Sequence, residues 1–204
     1  MAPTRWGNRA ELRKIEPDFE GLWGDITSTM NWCEAKYEVS PYFAEFWNTI
    51  SNLAMIIPPL FGIFLAWRDN MELRYILSLL SLATVGIGSW FFHMTLIYET
   101  QIYLKFPEPE LFQTAYGLLV LTMVILGFRS MQKFKACKRD RMTYYLSLFS
   151  YAFGFFLWQI DVRACSHLKS IRSGIGYPIK PVLQFHAWWH IFAGTGTYIS
   201  ILYV

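Results

Sequence analysis

Long uncharged apolar runs alternate along this chain with short charged connections. Five runs stand out: Phe46–Trp67, Tyr75–Tyr98, Leu111–Phe128, Met142–Ile160 and Val182–Val204. Each falls within the roughly 17–25 residues that carry a helix across a bilayer. The pattern predicts an all-α fold, a polytopic transmembrane helix bundle of about five spans at 44–204, preceded by a polar N-terminal tail at 1–43. At the start of the first helix, Glu45, Asn48 and Ser51 or Asn52 recur at three-to-four-residue spacing. Such a stripe is expected to face the bundle interior. Pro58-Pro59, lacking N–H groups, predicts a kink in the same helix. The stretch after the fourth run reads as a polar loop. Asp161 caps that helix or pairs with Arg163 or a neighbouring loop, and His167 is solvated beside Cys165 and Lys169.

Composition strengthens the membrane reading. Only 16% of the 204 residues are charged and 54% are hydrophobic, against about 25% charged in soluble domains. Five such runs leave too little polar surface for a soluble core. The tail contains no short apolar core before a small-residue cleavage site, so the first run is expected to act as its own insertion signal. Arg129–Arg141 is the most basic connection, with Arg129, Lys133, Lys135, Lys138, Arg139 and Arg141 against Asp140. It is expected in the cytosol, which places the acidic-leaning N-terminal tail in the lumen. The lumenal loop carrying Arg163, Lys169, Arg172 and Lys180 runs against that assignment. The net charge of +3 is read as a topology signal. No basic patch with interleaved aromatics points to nucleic acid, and no protein partner is evident. Cys33 and Cys165 share the lumen on this topology, as a bridge or as two free thiols, whereas Cys137 faces the reducing cytosol.

Three of the four histidines lie inside apolar runs: His93 in Ser89-Trp90-Phe91-Phe92-His93, and His186 and His190 in His186-Ala187-Trp188-Trp189-His190. An ionisable ring within hydrocarbon needs a partner or a function. The second and last helices run in opposite directions, which brings all three rings to one membrane face. His186 and His190 are spaced i, i+4 and share a helix face. Ser89 stands one turn before His93. Three imidazoles at one depth match the ligand count of a catalytic zinc with an open position. The alternative is three histidines that only pack.

At these residues the chain resembles the alkaline ceramidase family of seven-helix membrane hydrolases. The matching strings are Thr27-Ser28-Thr29-Met30-Asn31-Trp32-Cys33-Glu34, Ala44-Glu45-Phe46-Trp47-Asn48-Thr49, Gly86-Ile87-Gly88-Ser89-Trp90-Phe91-Phe92-His93-Met94-Thr95-Leu96 and Gln184-Phe185-His186-Ala187-Trp188-Trp189-His190. The resemblance implies hydrolysis of the ceramide amide bond to a sphingoid base and a fatty acid, in the endoplasmic reticulum or Golgi membrane. It implies zinc on His93, His186 and His190, an active-site serine at Ser89 and a disulfide between Cys33 and Cys165. It also implies a calcium site on Asn31, the Trp32 carbonyl, Glu34 and Glu45.

Two departures qualify these expectations. Asn31 stands where the family typically has Asp, and Lys36 where it often has an oxygen ligand. An ammonium cannot coordinate calcium, so calcium binding is expected to be weaker than in the family pattern. The second departure follows the second helix. There the family has a segment Leu-Leu-Asp-Glu-Leu-Pro-Met that opens its third helix and carries the proton-handling aspartate. Here Tyr98-Glu99-Thr100-Gln101 runs straight into Pro107-Glu108-Pro109-Glu110 within a few residues. The family's third and fourth helices are missing from the sequence, and with them the aspartate. Glu99 is offset from the face of His93, and Glu108 and Glu110 would need the loop to fold inward. The reading therefore stays open between a zinc amidase and an inactive or regulatory zinc-binding membrane protein.

Overall fold

The computed structural model describes residues 21–28, 30, 32–97, 109–133 and 135–203, with the side chains at 109–116, 119, 123 and 203 outside the described set. All regular structure among these residues is helical: α1 Phe46–Ser51, α2 Leu53–Arg68, α3 Leu73–Thr95, α4 Pro109–Lys133, α5 Lys138–Arg163, α6 Cys165–Gly174 and α7 Phe185–Tyr203, with a 3-10 turn Lys180–Leu183 before the last. Most of the described residues of the five apolar runs lie on helices. Two segments, α1–α2 together (Phe46–Arg68) and α3, each 23 residues long, have the length and apolarity to cross a membrane.

Burial is inverted relative to a soluble protein. Ile57, Leu60, Phe61, Phe64 and Trp67 on α2 are exposed, as are Phe149, Phe153, Phe155 and Phe156 on α5, whereas Glu34, Lys36, Glu45, Asn48, Asn52 and the three intrahelical histidines are buried. Apolar side chains outside and polar ones inside suit a hydrocarbon surrounding. Helices α5 and α7 pack along each other, α2 packs along α3, and α7 also touches α1, α2 and α3. Small residues permit the close approaches. A Cβ on Gly86 would lie 2.8 Å from Met55 Cβ, and one on Gly154 would lie 2.8 Å from Phe192 Cβ. Ser147 and Ser150 on α5 donate to the Gly196 and Phe192 carbonyls of α7, each at 2.8 Å. Helix α4 meets α5 where the Tyr144 hydroxyl donates to the Val124 carbonyl at 2.8 Å.

The first run is interrupted, but not at its prolines. Helix α2 continues through Pro58-Pro59, and the break falls upstream at Asn52. In an unbroken helix the Asn48 carbonyl would accept the Asn52 N–H. It accepts instead from Ser51 Oγ at 3.0 Å, Asn52 Nδ2 at 2.8 Å and His190 Nδ1 at 3.1 Å. The Asn52 N–H turns to the Thr49 carbonyl at 3.2 Å. Side-chain donors have displaced the backbone from its own ladder, so the first run carries a polar break at Asn52, upstream of its two prolines.

Residues 21–45 fold over one end of the bundle. Leu96, in the left-handed conformation at φ 49°, ends α3, and its carbonyl accepts the Thr27 and Ser28 N–H groups at 3.2 and 3.0 Å. Tyr37, Ala44, Phe92 and Leu96 form a small buried core against which Ile26, Met30 and Trp32 pack. Residues 165–174, expected as loop, form helix α6. Its Leu168 and Arg172, spaced i, i+4, are buried, while His167 is exposed. The anchors are tertiary. Cys165 is disulfide-bonded to Cys33, with Cα atoms 5.4 Å apart. Arg172 pairs with the Gln184 side chain and donates to Cys33 Sγ at 2.8 Å.

Candidate metal centre

The break in the first run, the last turn of α3 and the first turns of α7 meet beneath the N-terminal segment. His93 comes from α3, and His186 and His190 come from α7. They are 2%, 4% and 4% exposed. Their ring centroids lie 4.7 to 5.1 Å apart. One nitrogen from each ring lies within 4.8 Å of the other two, and among the described residues this is the cluster that could hold a metal ion.

Two of the rings are fixed from behind. His93 Nδ1 is 2.5 Å from Glu45 Oε2. Glu45 also receives the Lys36 ammonium, so its carboxylate only accepts and His93 Nδ1 carries the proton. His190 Nδ1 faces the Asn48 carbonyl at 3.1 Å and Ser51 Oγ at 2.9 Å. A carbonyl cannot donate, so this Nδ1 is also the protonated nitrogen. Both rings therefore keep Nε2 as a free donor atom, oriented by a carboxylate in one case and a carbonyl in the other. His186 is stacked on Trp32 at 4.1 Å between centroids. Its buried Nδ1 has no hydrogen-bond partner.

Glu45 is the hub of this arrangement. It is fully buried and accepts from Lys36 Nζ, from Asn48 Nδ2 at 3.0 Å and from His93 Nδ1. Lys36 Nζ also donates to the Trp32 carbonyl at 2.9 Å and the Glu34 carbonyl at 2.8 Å. The Glu34 carboxylate accepts the Trp47 and Asn48 N–H groups at 2.7 and 2.8 Å. It thereby caps the start of α1, where the preceding residue provides no side-chain cap. Burial, followed by the neighbouring Glu45, pushes the Glu34 carboxyl up to about 8, against the opposing pull of those two N–H groups and Lys36.

Ser89 sits half-buried one turn before His93 and makes no side-chain hydrogen bond among the described residues. Trp32, Glu34 and Glu45 surround Lys36, whereas Asn31, Glu99 and Glu108 lie outside the described residues, as does the side chain of Glu110. Asp161 is 1% exposed, and neither of its carboxylate oxygens has a hydrogen-bond partner among the described residues. Three supporting roles escape the sequence. Lys36 reads there only as a poor ligand, Ser51 as one of two alternatives in a stripe, and Trp32 as a carbonyl donor rather than a stacking partner. The i, i+3 spacing of Asn48 and Ser51 is the signal that could have found the second.

Fold and site define an all-helical protein with a buried trihistidine centre closed by a disulfide-tethered N-terminal segment. The family model described as Ceramidase matches residues 24–107 and 100–204, and the chain belongs to that family. It is 38% identical to alkaline ceramidase 3 of Mus musculus across 91% of this chain and 86% of that relative. It is 25% identical to alkaline ceramidase YPC1 of Saccharomyces cerevisiae across 92% and 78% of the two chains. To the putative alkaline ceramidase dcd3A of Dictyostelium discoideum it is 25% identical across 88% and 86%. The mouse alignment runs over 231 positions, longer than this whole chain, so this chain carries gaps in it.

Proposed function

We propose that this chain is an integral membrane amide hydrolase of the alkaline ceramidase type, with ceramide as substrate and a sphingoid base and fatty acid as products. The observation that carries the proposal is the buried His93–His186–His190 cluster in a chain of the ceramidase family. The donor set fits zinc: three imidazoles, two of them held at Nδ1, and an unpartnered buried nitrogen on the third. A zinc ion there would supply a Lewis acid and an acidified water for attack on the amide carbonyl. Glu45 and the Asn48 carbonyl hold His93 and His190 in the ligating tautomer. Ser89, free to rotate, donates to the oxygen on which charge develops. An apolar cleft of about 360 Å³ between α1 and α7, lined by Trp47, Ile50, Ala54, Val182, Trp188 and Ile191, also contains Ser51. Its apolar walls suit a lipid chain, and Ser51 joins them to His190. We place the protein in the endoplasmic reticulum or Golgi membrane with about five spans and a lumenal N-terminus.

One observation favours a second reading, a zinc-holding membrane protein without turnover. The family match comes in two segments that meet at 100–107, where the sequence passes directly from its second apolar run to its third. The family's proton-handling carboxylate belongs to the stretch missing there, and Glu45 is committed to Lys36 and His93. Loss of a general acid or base costs about 10²–10⁴ in rate. The deciding measurement is fatty-acid release from ceramide by purified wild type and His190→Ala, together with zinc content. Stoichiometric zinc with release above the variant supports the hydrolase. Stoichiometric zinc with equal, negligible release supports the second reading. Absence of zinc from wild type removes both.

A further inference from the structure

Of the residues assigned to calcium by family resemblance, Trp32, Glu34 and Glu45 surround a group that is already positively charged. Lys36 Nζ donates to the Trp32 carbonyl at 2.9 Å, the Glu34 carbonyl at 2.8 Å and the Glu45 carboxylate. An ammonium has three protons, and here each has an acceptor. The side chain is 5% exposed, so water does not compete for those protons. The Glu34 carboxylate, which a calcium ion would need, is turned away to cap α1 through the Trp47 and Asn48 N–H groups. Calcium takes 6–8 oxygens at about 2.3–2.6 Å, and the point these oxygens share is held by a nitrogen. The described residues do not fit a calcium ion while Lys36 occupies that point.

We propose that Lys36 is a resident cation that takes the place of bound calcium, so that the N-terminal segment locks onto the histidine centre independently of calcium. The ammonium neutralises one oxygen of Glu45 and leaves the other facing His93 Nδ1. It joins residues 32, 34 and 45 through one donor group, the work a multivalent ion would otherwise do. Lys36 is thus a positioning residue, acting on His93 through Glu45. This does not depend on substrate turnover, because the cation and its acceptors lie behind the histidines.

The test uses the full chain in detergent micelles, as wild type, Lys36→Asn and Lys36→Met. Thermal unfolding is followed in millimolar calcium and in chelator, and terbium luminescence sensitised by nearby Trp32 reports ion binding. Wild type is expected to unfold at the same temperature in both conditions and to show no terbium signal. Lys36→Asn restores an oxygen and vacates the site. It is expected to lose several degrees in chelator, recover them in calcium and gain a terbium signal. Lys36→Met is expected to be destabilised in both conditions, because it supplies neither cation nor ligand. A calcium-induced rise in wild type overturns the proposal, as does a Lys36→Asn variant that calcium leaves unchanged. Should neither variant be purifiable, the wild-type calcium titration decides alone: a flat response supports the resident cation and a shift refutes it.

Discussion

Replacing Glu45 with Gln separates two functions that one carboxylate performs. The substitution keeps the shape and removes the charge at a position that is 0% exposed. Lys36 would then be buried against two carbonyls with no counter-ion. Removing one partner of a buried ion pair costs about 3–5 kcal/mol, mostly from the charge left behind. The second loss is orientation, since Glu45 holds His93 Nδ1 at 2.5 Å. Losing such a partner to a metal-ligating histidine lowers metal affinity about 10–100-fold, or about 1.4–2.8 kcal/mol. The stability effect is the larger, so Glu45→Gln should show first as easier unfolding.

The double variant Glu45→Gln with Lys36→Met pulls the two losses apart. Removing both charges should restore most of the unfolding free energy, while zinc affinity stays lowered because a neutral amide oxygen at position 45 holds the His93 Nδ1–H less strongly than the carboxylate does. Denaturant unfolding in a fixed micelle and chelator competition for zinc give the two readings. The reasoning fails if Glu45→Gln unfolds within about 0.5 kcal/mol of wild type, the range of an uninvolved surface change, and holds zinc against the same chelator. It also fails if the double variant is no more stable than the single.

Three further outcomes follow from the same geometry. His186→Ala should lose stoichiometric zinc, read by elemental analysis, and any ceramide hydrolysis above that of His190→Ala would refute the trihistidine centre. Cys33→Ser, or reductant on wild type, should destabilise by about 2–5 kcal/mol in denaturant unfolding, because the bridge closes a long loop. The separation is 132 residues. Gly86→Ala should cost about 1–3 kcal/mol by wedging α3 away from Met55 and Ile56, whereas Gly88→Ala, with nothing within 4 Å of its added Cβ, should be neutral or slightly stabilising.

The parts of this molecule legible in the sequence are those set by period and length. Apolar runs near twenty residues gave the helices, and i, i+4 spacing gave the shared face of His186 and His190. Glu45, Asn48 and Ser51 or Asn52 read as inward-facing from three-to-four-residue spacing; Glu45, Asn48 and Asn52 are buried and Ser51 is half-buried. Features set by tertiary competition were not legible. The break at Asn52 arises because His190, more than a hundred residues away, helps capture the Asn48 carbonyl. Helix α6 is too polar to announce itself and relies on Arg172 and the disulfide. Lys36 looks like a defect in a calcium site until its three acceptors are seen around it.

The family match divides at 100–107, between α3 and α4, and that placement decides what each part can do. His93, His186 and His190 come from α3 and α7. Their supports come from 32–36, Glu45 and the Asn48–Asn52 break, and the tether comes from Cys165 and Arg172. None of these belongs to the stretch around 100–107, so every residue of the candidate metal frame comes from outside it. A proton-handling carboxylate is another matter. Glu45 is taken by Lys36 and His93, and Asp161 is 1% exposed with no hydrogen-bond partner for either carboxylate oxygen among the described residues. Metal binding and hydrolysis should therefore be separable in this chain. Zinc occupancy and its dependence on Glu45 should match a working centre, while turnover should fall below that of a seven-helix relative by about the 10²–10⁴ that a missing acid or base costs. Turnover equal to such a relative would mean that another group moves the proton, with Asp161, Glu108 and Glu110 the first to replace.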